Sequence, residues 1–174
     1  MIQRNGVIIA YGAALAGTLL WCTMLVAAPF FTHTGGIWTG WGETIYAGFH
    51  RICHQIEGRS LHIWGYPFAA CARCSAIYFA FLAGTLVYPF IRPLRTPQTT
   101  SRRTLLLALL PMGVDVALAV AGVHDSTTIS RLITGAFFGL LLPFVVLPVY
   151  LGAVLEHFSH SPTLPHHMKG TADA

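Results

Sequence analysis

Between His50 and Cys74 the chain reads HRICHQIEGRSLHIWGYPFAACARC, and three of its four cysteines fall inside this stretch. Cys53, His54 and Gln55 form one triplet, and Cys71-Ala72-Arg73-Cys74 forms a CxxC knuckle further along. Structural zinc takes four nitrogen or sulfur ligands in a tetrahedron. Cys53, Cys71, Cys74 and His54 offer such a set. His50 is the geometric alternative to His54, because it sits one helical turn before Cys53 and shares a face with it. Gln55, Arg59, Ser60 and Arg73 are then available to orient the ligands from outside. Zinc is the expected cofactor, and iron and copper also accept three thiolates with an imidazole.

The same residues allow a second chemistry. A CxxC exposed to an oxidising compartment tends to form a disulfide, and Arg73 between the two cysteines favours the reactive thiolate. A CxxC at the head of a helix in a four-span protein is similar in layout to the bacterial quinone-linked disulfide-forming enzymes, although those carry a second cysteine pair that this chain lacks. Cys22 stands alone in an apolar run and reads as a small hydrophobe. His33, His62 and His124 read as interfacial residues rather than ligands. No phosphate loop, catalytic triad or haem-attachment CxxCH is present.

What must position these groups is a membrane scaffold. Of the 174 residues, 55% are hydrophobic and only 9% charged, against about 25% charged in ordinary soluble domains. The mean hydropathy is +0.64. The formal charge is +4, but the basic residues form no stripe and match no recognition motif, so nucleic acid is excluded as a partner and the lipid bilayer is the expected one.

Four spans follow from the apolar runs, at about residues 6–31, 74–92, 104–122 and 131–155. The first is longer than a signal-peptide core, and Trp21 before Cys22 is unsuited to a lipoprotein cleavage site, so it is expected to stay in the mature chain. Ile45, Phe49, Ile52 and Ile56 recur at helical spacing, which predicts a short amphipathic helix over 43–56 lying at the interface. The expectation is thus an all-α membrane protein: four transmembrane helices plus one interfacial helix, a single domain over 1–158, a site loop at 32–74 and a disordered polar tail at 159–174. Small residues at four-residue intervals, Ala76, Ala80 and Gly84 in span two and Gly135 and Gly139 in span four, predict close helix contacts within the bundle or in a homo- or hetero-oligomer. Arg92, Arg95, Arg102 and Arg103 crowd one short loop without an acid. By the positive-inside rule that loop and both termini face the cytoplasm, and the cysteines face outward.

Asp115 is the only acid inside a span, about 10 Å below the surface by helical rise. An intramembrane carboxylate marks either a transport path or a locking ion pair. With a single such acid the lock is favoured, its partner being Arg131 or an outer-loop arginine.

Taken together, Cys53-His54-Gln55, Arg59-Ser60, Cys71-Ala72-Arg73-Cys74 with Ile77-Tyr78, Pro111 with Asp115, and Arg131 with Thr134-Gly135 resemble an uncharacterised family. These are the small prokaryotic membrane proteins catalogued as domain of unknown function 2085, and the resemblance spans roughly residues 45 to 140. This chain has Ser75 and Val116 where that family commonly has glycine. The resemblance implies a cell-membrane fold and a site, and no reaction. The reading is therefore a small multi-pass protein with a structural Cys/His metal site at the membrane surface. The alternatives are a quinone-coupled thiol–disulfide oxidoreductase and a small transporter or accessory subunit using Asp115.

Overall fold

The computed structural model describes residues 2–94, 102–123 and 126–159. Four stretches are long and apolar enough to cross a membrane: Asn5–Thr34, Ala72–Ile91, Arg103–Val120 and Thr128–Glu156. The elements in chain order are α1 (Ile2–Thr34), α2 (Thr39–His50), β1 (Ser60–Ile63), β2 (Tyr66–Cys71), α3 (Ala72–Ile91), α4 (Arg102–Val120), α5 (Thr128–Leu141) and α6 (Pro143–Ser159). The fold is all-α with four candidate spans and one short extra helix, as the apolar runs predict.

Three local features differ from the sequence expectation. The fourth span is two helices, because Pro143 comes just after Leu142, the C-cap of α5, and its ring and missing N–H interrupt the helical ladder. The short helix is displaced toward the N-terminus. It covers Thr39–His50 rather than 43–56, so Cys53 lies beyond it on a turn in which the Ile52 and Cys53 amides both bond to the Phe49 carbonyl, at 3.0 and 2.9 Å. Finally, the expected polar loop holds a β-hairpin. Trp64 and Gly65 at its tip have φ of 53° and 82°, the pair of positive values that a two-residue type I′ hairpin loop requires.

The hairpin is antiparallel, pairs Ser60 with Cys71 and Ile63 with Tyr66, and is irregular between Ser60 and His62. Its tip is held on the end of α1 by aromatic contacts of Trp64 with Phe30 and His33, at 5.7 Å centroid separation each. Beneath it lies one apolar cluster of Leu25, Ala28, Phe49, Cys53, Ala69 and Ala70, all buried. Phe49 of the predicted amphipathic stripe thus turns inward against Trp21, at 4.9 Å, while Ile52 and Ile56 stay exposed. A second cluster of Val7, Ala10, Tyr88, Leu147 and Leu151 joins α1, α3 and α6 at the opposite end of the bundle.

The tightest helix contact is between α3 and α5, and it consumes the small-residue motifs. A Cβ on Gly139 would lie 2.3 Å from the Ile77 carbonyl oxygen, and one on Gly135 would lie 2.7 Å from that of Arg73. On the facing helix, a Cβ on Gly84 would come within 2.6 Å of the Leu140 carbonyl oxygen. The GxxxG therefore serves an intramolecular contact, pressing α5 against the first turns of α3. Residues 95–101, the core of the arginine-rich loop, lie outside the described residues, as do His124, Asp125 and the tail from 160.

Candidate functional site

Cys71 is the last residue of β2 and the N-cap of α3, and Cys74 is on the first turn of that helix. Cys53 reaches them from the turn after α2. Its sulfur accepts a hydrogen bond of 3.3 Å from the Cys71 amide. The three sulfurs lie within 4.8 Å of one another. That spacing meets the geometric demand of a shared metal or of thiol exchange, since each sulfur can reach the others by small side-chain rotations.

Gln55 makes this turn possible. Its backbone adopts φ 48°, unusual for a residue with a side chain. Its amide nitrogen donates to the Tyr46 carbonyl at 2.8 Å and to the Ala69 carbonyl at 2.7 Å, clamping α2 to β2 on either side of Cys53. The Tyr46 hydroxyl adds a further bond to the Pro67 carbonyl. Ser60 faces Cys71 across the hairpin and donates to the Ile56 carbonyl at 3.0 Å, which closes the loop under the site. Ser75 is fully buried and donates to the Ala70 carbonyl at 3.1 Å, so its hydroxyl ties the helix start to the strand.

The Cys71 thiol is pushed down to about 5. The main cause is the hydrogen bond from the Cys74 thiol, helped by the Cys74 and Arg73 backbone amides at the helix start and opposed by burial. These surroundings favour the Cys71 thiolate, the form that ligates metals and attacks disulfides.

Neither predicted histidine joins the sulfur group. His50 is exposed at the end of α2. His54 is exposed and lines a cavity of about 420 Å³ together with Cys53, Cys71 and Cys74. Arg59, Arg73 and Arg131 line the same cavity. Cys22 is buried and donates to the Tyr78 carbonyl at 3.4 Å, and it is not part of the sulfur group.

Arg73 connects the site to the bundle. Its guanidinium pairs with Asp115 of α4 and donates to the Ser126 hydroxyl at 3.1 Å. The Asp115 carboxylate also accepts from Ser126 at 2.8 Å and from Ser130 at 2.9 Å. Of the two expected partners of Asp115, Arg131 or an outer-loop arginine, the second is found, and Arg131 reaches Ser126 at 3.3 Å. Asp115 pairs with an arginine inside the CxxC itself, because α5 lies flat on the first turns of α3 and leaves Arg73 to face α4. Sequence reasoning missed Ser126 and Ser130. The available signal was the run Ser126-Thr127-Thr128-Ile129-Ser130 at a helix start, where Thr127 caps α5 by accepting from the Ser130 amide at 3.1 Å.

A polytopic helical membrane protein carrying a cluster of three cysteines at the head of α3 is the class this architecture defines. The family model described as "Predicted membrane protein (DUF2085)" matches residues 53–145. An uncharacterized protein of Methanocaldococcus jannaschii is 33% identical over 151 residues, covering 85% of this chain and 97% of that protein. The chain belongs to the DUF2085 family. No solved structure matches it.

Proposed function

We propose that this protein holds one metal ion, zinc, through Cys53, Cys71 and Cys74, and that the metal fastens the turn after α2 to the head of α3. The observation that carries this reading is the convergence of the three sulfurs within 4.8 Å from two separate segments. The fourth position faces the cavity, where His54 is the imidazole in the lining. Such a site has a clear physical use. The segment from Thr39 to Cys71 has a small core of its own, and ligation adds folding free energy directly.

The test is elemental analysis of protein made without a histidine tag, beside Cys71→Ser and His54→Ala variants. About one zinc per chain, lost in Cys71→Ser, is the expected result. Retention of metal in His54→Ala would assign the fourth position to solvent or a bound ligand. The second reading is thiol–disulfide exchange, favoured by the lowered pKa of Cys71 and by two further thiols within 4.8 Å of it. A metal-free protein with a Cys71–Cys74 disulfide on non-reducing mass spectrometry, exchanging with a quinone or a thiol partner, would replace the metal reading with that one.

A further inference from the structure

The cavity beside the cysteines has a character that the thiols do not require. Its lining includes Arg59, Arg73, Arg131 and His54 and, among the described residues, no aspartate or glutamate. Arg73 is neutralised by Asp115. Among the described residues, neither Arg59 nor Arg131 has a carboxylate within ion-pair distance, and the one side-chain bond of Arg131 is to the neutral Ser126. The buried Arg73 Nε also lacks a hydrogen-bond partner.

The lining also has an apolar part: Ile52, Ile56, Val116, Ala119 and Val120. Val116 and Val120 belong to α4, whose outward surface of Leu106, Leu110 and Val120 is more than half exposed at each residue and is apolar enough to face lipid. The cavity lining thus combines arginines with residues of a helix whose outward surface is apolar. Its volume, about 420 Å³, lies in the usual range for small-ligand pockets. Guanidinium groups suit phosphate oxygens because they offer paired, charge-assisted donors.

We propose that this cavity binds the phosphate head of a membrane lipid, with Arg59 and Arg131 holding the phosphate and the α4 wall receiving the start of the hydrocarbon chain. Binding of this kind goes beyond the metal reading and does not depend on it.

The experiment uses the full-length protein in maltoside detergent and measures binding of short-chain phosphatidic acid, phosphatidylcholine of the same chains, and inorganic phosphate. Phosphatidic acid is expected to bind about tenfold tighter than phosphatidylcholine, the gain of one good charge-assisted contact. Arg59→Gln with Arg131→Gln should remove that preference, and Arg59→Lys with Arg131→Lys should retain part of it, which separates lost charge from lost folding. The arginines at the far end of α3 and α4 remain in every variant and set the background. An unchanged preference in the double glutamine variant would overturn the assignment. Inorganic phosphate binding as tightly as the lipid would overturn the membrane source of the ligand. Metal content, read on the same samples, tests the other reading separately.

Discussion

Replacing Asp115 with asparagine removes a charge while keeping the shape, so it isolates the ion pair that ties α4 to the CxxC. Asp115 is 8% exposed and the Arg73 side chain 20% exposed. Breaking a buried pair by neutralising one partner costs about 3–5 kcal/mol, mostly from the charge left unpaired. Arg73 keeps some access to water, and an amide keeps one oxygen to accept from Ser126 or Ser130, so about 2–3 kcal/mol of that cost should remain. For a chain of this size the melting temperature moves about 2–4 °C per kcal/mol, giving a fall of about 4–12 °C. Thermal unfolding of the purified protein, followed by intrinsic tryptophan fluorescence, measures it. The companion variant Arg73→Gln should be similarly destabilised, and the double variant should lose less than the sum, because neither charge is then orphaned. A change below about 2 °C in Asp115→Asn would refute the locking role. If that variant were stable but had lost an ion or proton flux, Asp115 would belong to a transport path instead.

The α3–α5 contact makes a second prediction. Gly139→Ala brings a Cβ to 2.3 Å from the Ile77 carbonyl oxygen, which must push the helices apart. Overpacking of this kind costs about 1–3 kcal/mol. Gly113→Ala, where nothing lies within 4 Å of an added Cβ, should leave the melting temperature unchanged or raise it. The orientation is tested by single cysteines introduced at Thr39 and Thr99 in a background lacking accessible native thiols. A membrane-impermeant reagent applied to intact cells should label the Thr39 position and spare the Thr99 position, and the reverse pattern would invert the assignment.

The spans were legible because hydrocarbon thickness translates directly into run length, and the four apolar runs needed no knowledge of tertiary contacts. The break at Pro143 was visible in principle, but apolarity continues through it, so a hydropathy reading joins what the backbone divides. The hairpin left only Trp64-Gly65 as a signal. An Asn-Gly or Asp-Gly turn would have been recognised, whereas tryptophan with positive φ is held there by Phe30 and His33, contacts that no local pattern encodes. The meeting of Cys53 with Cys71 and Cys74 was legible from residue chemistry, yet the absence of a histidine from the sulfur group was not. It follows from α2 ending at His50, which leaves His50 exposed and turns His54 toward the cavity.

Arg73 shows why part of the site could not be read in one dimension. Between two cysteines it reads as an electrostatic aid to a thiolate, and Asp115, forty-two positions later, reads as an isolated intramembrane acid. Gly135 joins the two readings. With no Cβ there, α5 can lie against the Arg73 carbonyl, and its N-terminal turn then delivers Ser126 and Ser130 to Asp115 beside the Arg73 guanidinium. The same close approach places Arg131 on the cavity wall. The close approach at Gly135 thereby bears both on the pairing of Asp115 with Arg73 and on the place of Arg131 in the cavity lining. A bulky residue at Gly135 should disturb the cysteine end of the bundle first and the Tyr88–Leu147 cluster at the opposite end last.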